Sequence, residues 1–260
     1  MEWKTLLLEK KEHFCWIKLN RPEAMNALNT QMAKDLIAAF QEVAFDRDIW
    51  VAGLTTTTDK AFGVGADLKE RKNMSAEEIL NQRALFVRVP AALRALPQPF
   101  IAGVKGFALG GGFEMALLAD LIIAGDNAKF GLPEVRVGLI PGNGGTQTLP
   151  RVIGKMRAKE MIFTGKRISA SEALAMGIVN RVVPVDKVEE TILDLGREIC
   201  ASAPVAVRQA KRAIDTGMEV DLNTALQVEI EAYNVNLATE DRQEGIRAFN
   251  EKRPPQWKNR

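Results

Sequence analysis

Short β-branched runs, each followed by a glycine-bearing loop or a helical pattern, recur through the first half of this chain. That rhythm restricts it to an α/β protein whose strands are joined by crossover connections. The run "FCWIKLN" (14–20) reads as a strand, "RPEAMNALN" as a loop, and 30–44 as a helix carrying Met32, Leu36 and Phe40 on one face. "IWVAGLTTT" (49–57) predicts a second strand and "DKAFGVGADL" a glycine-bearing loop. Ser75 and Glu78 have the spacing of a capping box, so a helix is expected from there to about Leu96, with Pro90 breaking or kinking it. "PFIAGVKG" (99–106) and "ADLIIAGD" (119–126) predict two more strands. A second capping box, Ser169 with Glu172, opens a helix that Gly177 stops. Beyond "IVNRVVP" the chain reads as nearly all helical, with Pro204 near one helix's first position and Gly217 past its end. A boundary is therefore expected near residue 200, between a core (1–200) and a helical region (201–260). A tail this apolar requires a partner surface, either the core or another subunit.

The glycines lie mostly after strands and before helices, where open α/β folds place ligands. "AFGVGADL" (61–68) is too short for a dinucleotide fingerprint and lacks the Gly-Lys-Ser/Thr of a phosphate loop, so alone it reads as a tight turn. "ALGGGFEMALLAD" (108–120) is more informative. A helix beginning near Gly112 leaves its first amides unpaired, and bare Gly111 leaves them open to an anion or a developing oxyanion. Glu114 in that first turn either complements the helix dipole or takes part in chemistry. Glu134 lies in "FGLPEVRVGLIPGNGGTQ" (130–147), on an irregular segment between Gly131 and Gly138 where no helix dipole explains it. "PGNGGT" reads as a turn into the next helix, with a phosphate cradle as the lesser alternative. Two glycine-freed amides and two carboxylates together fit stabilisation of a thioester-derived enolate with proton transfer at the neighbouring carbons.

Composition removes competing chemistries. His13 is the only histidine, which rules out a multi-histidine metal site and leaves a Ser-His-Asp arrangement one residue to use. Its position before an apolar strand suits an exposed residue at a strand start. The two cysteines, Cys15 and Cys200, form no CxxC motif, and with no secretory signal pattern the chain reads as cytoplasmic. The net charge of +2 gives no reason to expect a nucleic-acid partner, and no apolar run suits a membrane span.

The stretches "NRPEAMNAL", "AFGVGADL", "GFALGGGFEMALLAD", "FGLPEVRVGLIPGNGGTQ" and "EKRPP" resemble the crotonase superfamily, specifically enoyl-CoA hydratases, in the expected order over nearly the whole chain. "DLKER" (67–71) and "GMEVDL" (217–222) add a weaker resemblance to the methylglutaconyl-CoA hydratase branch. The resemblance implies a spiral of repeated ββα units with a C-terminal helical trimerisation region, and a homotrimer or homohexamer. It implies an acyl-CoA thioester substrate of the kind handled in fatty-acid β-oxidation, and no metal or redox cofactor, coenzyme A being part of the substrate. Carried over by motif, the amides of Ala66 and Gly111 form an oxyanion hole, while Ala66, Asp67, Leu68 and Lys69 border the CoA nucleotide. Glu114 and Glu134 become the acid/base pair of water addition to a trans-2-enoyl-CoA, with Glu114 as base toward the water and Glu134 as donor of the α-proton. Arg21, Lys69 and Lys252 are candidates for CoA phosphate contacts. The arginine that family members often carry after "GGTQ" is Thr148 here, and Phe113 reads as a core aromatic rather than a pocket wall.

Two other readings remain at this stage. A Δ3,Δ2-enoyl-CoA isomerase needs only one carboxylate, so two retained glutamates favour hydration. A non-catalytic acyl-CoA-binding or RNA-binding protein fits less well, since no long basic stripe is present.

Overall fold

The computed structural model describes residues 3–260. Strands β1 (Leu6–Lys11) and β2 (Phe14–Leu19) form an antiparallel hairpin, and helix α1 (Thr30–Phe45) follows. Asn29 caps α1 by accepting from the Met32 amide, and Met32, Leu36 and Phe40 are all buried. Next come β3 (Val51–Thr56), β4 (Ala61–Gly63), α2 (Leu68–Arg71), α3 (Ala76–Phe86) and α4 (Arg88–Arg94). The Ser75–Glu78 capping box is formed in full. The expected helix to Leu96 is broken in two at Val87, because the Pro90 ring excludes the carbonyl four residues back, that of Phe86, from a regular helical turn.

The central part holds β5 (Phe100–Val104), β6 (Phe107–Leu109), α5 (Gly111–Ala116), β7 (Leu121–Gly125) and β8 (Lys129–Gly131). A 3-10 turn over Glu134–Val137 leads to α6 (Gly145–Ile153) and α7 (Lys155–Thr164). The chain continues through β9 (Arg167–Ser169), α8 (Ala170–Ala175), β10 (Arg181–Val183) and α9 (Val188–Cys200). Helices α10 (Pro204–Gly217), α11 (Leu222–Leu237) and α12 (Glu240–Glu251) complete it. Gly217 is the last helical residue of α10 rather than lying past its end, and Met218 is the cap.

Two sheets result. The larger runs β1-β2-β3-β5-β7-β10, parallel except for the first pair; the smaller runs β4-β6-β8-β9, parallel except for the last. Each turn of the chain contributes one long strand to the first sheet and a three-residue strand to the second: β3 then β4, β5 then β6, β7 then β8. This is the spiral of repeated units. Every residue of β3 and β5 is buried, as expected of parallel strands covered on both faces. One face packs on Leu36, Phe40 and Phe100 of the main core, and the other packs Trp16, Val51, Ile101 and Ile123 against Val188 and Ile192 of α9.

The second sheet corrects the reading of one loop and adds a strand the local pattern does not show. "DKAFGVGADL" contains β4, and β6 separates β5 from the glycine triplet. Three residues show no alternation, so these strands exist through pairing with their neighbours rather than through any local pattern.

Candidate active site

The carboxyl ends of the short strands bring the site together. In register, Gly63 pairs with Ala108 and Ala108 with Phe130, so adjacent strands stand about 4.8 Å apart. Ala66 and Gly111 each follow three residues beyond these partners, and Glu134 follows four beyond. Three successive turns of the spiral thus deliver two amides and two carboxylates side by side.

The Ala66 amide is freed by its neighbours. The Leu28 amide donates to Gly65 O (2.7 Å) and the Asp67 amide to Leu28 O (2.9 Å), a parallel bridge that uses the groups flanking Ala66 and not its own N–H. Gly111 is the first residue of α5, and its N–H has no intrahelical acceptor. Among the described residues neither amide donates a hydrogen bond. The glycine triplet makes this approach feasible. Gly110 holds φ +52 and ψ −129, a conformation for glycine alone, and a Cβ at Gly112 would overlap the Gly63 carbonyl. A Cβ at Gly65 would lie 3.4 Å from Gly111 N, so the two loops meet backbone to backbone.

Both glutamates border this turn. A Cβ at Gly110 would lie 3.2 Å from Glu134 Oε1, and one at Gly111 would lie 4.0 Å from Glu114 Oε2. Their surroundings differ. Glu114 is 2% exposed, and its Oε1 accepts the amides of Asn143 (2.7 Å) and Gly145 (2.8 Å). "PGNGGT" therefore is a cradle for a carboxylate, that of Glu114, held by the amide of Asn143 in the loop before α6 and that of Gly145 at its first residue. Glu134 opens a short 3-10 turn, and its buried Oε2 has no hydrogen-bond partner among the described residues.

These surroundings set the charge order. Burial pushes the Glu134 carboxyl up to about 7, and the neighbouring Glu114 charge adds to the rise. Burial also raises Glu114, opposed by the Gly145 and Asn143 amides and by the Arg83 charge. Glu134 is thus the carboxyl that titrates near neutral pH, while the Gly145 and Asn143 amides and the Arg83 charge favour the anion of Glu114.

A cleft of about 450 Å³ opens over these groups. Ala66, Gly111, Glu114 and Glu134 line it, with Leu68, Ile79, Leu80 and Phe86 on one side and Val137 and Ile140 on another. Helix α3 supplies part of this wall. Lys69 is exposed on α2. The Asp67 side chain is committed to the protein: it caps α2 through the Lys69 and Glu70 amides and pairs with Arg21 Nη2 at 3.0 Å. Arg21 also donates to Ala27 O, so this phosphate candidate is a clamp on the Ala66 loop instead. Lys252 caps α12 in the left-handed region. The Thr148 hydroxyl donates to the carbonyl of Gly144, the N-cap of α6. Phe113 is fully buried against Phe130, a core aromatic as expected. His13 stacks on Trp50 with centroids 3.5 Å apart, and it does not line the cleft. Arg83 and Asn143 escaped the sequence reading, because their role depends on contact between α3 and the loop before α6.

Among the described residues, no group of three or more His, Cys, Asp or Glu side chains is placed to hold a metal ion, and no helix is long and apolar enough to cross a membrane.

Residues 9–260 match the family described as enoyl-CoA hydratase/isomerase. The chain is 42% identical to a short-chain-enoyl-CoA hydratase from Clostridium acetobutylicum over 100% of both chains. It is 40% identical to a crotonyl-CoA hydratase from Syntrophomonas wolfei over 97% of each. The crystal structure of an enoyl-CoA hydratase from Bacillus anthracis superposes with a TM-score of 0.97 at 42% identity, covering 99% of this chain and 100% of that one. A full-length family match on a shared spiral fold leads to one conclusion: this chain belongs to the enoyl-CoA hydratase/isomerase family of the crotonase superfamily.

Proposed function

We propose that the protein is an enoyl-CoA hydratase that adds water across the 2,3 double bond of a trans-2-enoyl-CoA. The observation that carries this reading is the pair of unequal carboxylates beside two unpaired amides. The thioester oxygen lodges between the Ala66 and Gly111 N–H groups. Glu114, as the anion, takes a proton from water while the water oxygen bonds to the β-carbon. The electrons of the double bond move onto the thioester oxygen, where the two amides stabilise the enolate. The Glu134 carboxyl then gives its proton to the α-carbon. The proton on Glu114 returns to Glu134 through solvent, and the pair titrates as one coupled system. The chemistry draws on no metal or redox cofactor, coenzyme A arriving with the substrate.

The relatives named for short-chain and crotonyl substrates support a short acyl group, as in fatty-acid β-oxidation. Residues 201–260 are proposed as the helical region through which copies assemble into a homotrimer or homohexamer, and the exposed Ile214, Leu222, Leu226 and Ile230 support that role. The two free cysteines fit a cytoplasmic location.

The test is loss of the 2-enoyl thioester absorbance with crotonyl-CoA, alongside trans-2-decenoyl-, 3-methylglutaconyl- and 3-enoyl-CoA. Crotonyl-CoA is expected to be hydrated with the highest kcat/KM. Turnover of the 3-enoyl thioester alone would make the protein an isomerase and contradict the reading.

A further inference from the structure

Asn143 stands at the junction of the Glu114 cradle, helix α3 and the cleft. Its backbone N–H holds Glu114 Oε1 at 2.7 Å. Its Oδ1 accepts from Arg83 Nη1 at 2.7 Å, while Arg83 Nη2 donates to the carbonyl of Gly142 next door. The guanidinium is a donor only, so this contact fixes the amide orientation: Oδ1 faces Arg83 and Nδ2 faces the other way. That other way is the active site. Nδ2 would lie 3.5 Å from a Cβ at Gly111, the position that is also 4.0 Å from Glu114 Oε2. Nδ2 donates to no other described residue, and Asn143 lines the cleft.

We propose that Asn143 is a substrate-contacting residue: its Nδ2–H donates to the oxygen that Glu114 deprotonates, first as water and then as the β-hydroxyl of the product. This rests on the hydratase reading of Glu114 and Glu134. The geometry suits the chemistry of the oxygen. Water donates one hydrogen to Glu114 Oε2 and accepts Nδ2–H on one lone pair, which leaves the second lone pair to bond to the β-carbon. After addition the oxygen keeps a lone pair for Nδ2–H, so the contact persists in the product. Arg83 is a positioning residue in the same unit, holding both the Asn143 amide and the Gly142 carbonyl from α3.

The test compares two ligands that differ by this one oxygen, butyryl-CoA and 3-hydroxybutyryl-CoA, by equilibrium titration in the Glu134→Gln background, where turnover is slow. Asn143→Ala removes the whole contact. Asn143→Asp keeps the acceptor for Arg83 but removes the donor, so a purely structural side chain would tolerate it. Both variants are expected to weaken 3-hydroxybutyryl-CoA by about 3- to 10-fold, the size of one neutral hydrogen bond, and to leave butyryl-CoA unchanged. Equal weakening of both ligands, or none, overturns the proposal, with melting curves reporting any loss of fold. Hydration of crotonyl-CoA by the unmodified protein separates the two levels. Hydration with an unchanged ligand ratio overturns the role of Asn143 alone, and absence of hydration overturns the reading of the site and this inference with it.

Discussion

Glu114 and Glu134 share a residue type and border one glycine turn, and their surroundings alone make them unequal. Two amides stabilise the Glu114 anion, whereas Glu134 has a buried, unpartnered oxygen and a carboxyl raised to about 7. Because Glu134 must carry its proton to act as the proposed donor, kcat/KM is expected to fall on the alkaline side with an apparent pKa near 7. A pH–rate profile flat from pH 6 to about 9 would contradict this assignment. Glu114→Gln removes the one charge that adds to the burial of Glu134 in raising it, so the Glu134 titration, followed by NMR of labelled glutamate, should move below its value in the unmodified protein. The same shift links to stability. The folded-state value lies above the unfolded value of about 4.3, so Glu134's contribution is fully present below that pH and is lost as pH rises toward about 7. Gly112 supports the pair sterically. Gly112→Ala would drive a methyl group into the Gly63 carbonyl, at a cost of about 1–3 kcal/mol, and would spread the two amides. A lowered Tm with a larger fall in kcat than in substrate affinity is the expected result.

At the scale of elements, α3 is a lightly anchored wall of the cleft. It buries only Gln82 and Phe86, while β3 and β5 are buried throughout. Amide hydrogen exchange is expected to be faster along 76–86 than in those strands, and butyryl-CoA should slow it there. Equal protection in α3 and β3 would contradict a yielding wall. Helix α1 and both capping boxes were legible in the sequence, because each is a local pattern of caps and apolar spacing. The strands β4, β6 and β8 were not, since three residues carry no period and their stability comes from partners distant in sequence. The same limit applies inside the site. Glu114, Glu134 and the glycine loops stand out as residue types at junctions. The cradle that holds Glu114 reads as a turn, because its anion lies 29 to 31 residues earlier in the chain. Arg21 similarly reads as a free cation until Asp67, 46 residues away, is placed against it.

Across the whole molecule, the spiral converts sequence order into spatial order, setting Ala66, Gly111 and Glu134 on consecutive turns. The C-terminal segment is strapped down behind it. Glu244 pairs with Arg253 at 2.6 Å and accepts the Gln256 amide, which holds its carboxyl well below the usual range, and the Trp257 indole donates to Ala201 O. Ahead of that strap, the apolar side chains of α10 and α11 remain exposed. Light scattering is expected to give three or six times the 28.6 kDa chain mass, and Leu226→Glu with Ile230→Glu should lower it; a monomer at micromolar concentration would contradict the proposed assembly. In the proposed mechanism catalysis is likewise a property of the assembled site, with Glu114 and Glu134 acting as one unit. Steady-state hydration of crotonyl-CoA by Glu114→Gln, Glu134→Gln and the double variant tests this most directly. Each single variant is expected to lose about 10²-fold or more in kcat, with the double variant little slower than either. Single variants that hydrate crotonyl-CoA as fast as the unmodified protein would contradict it.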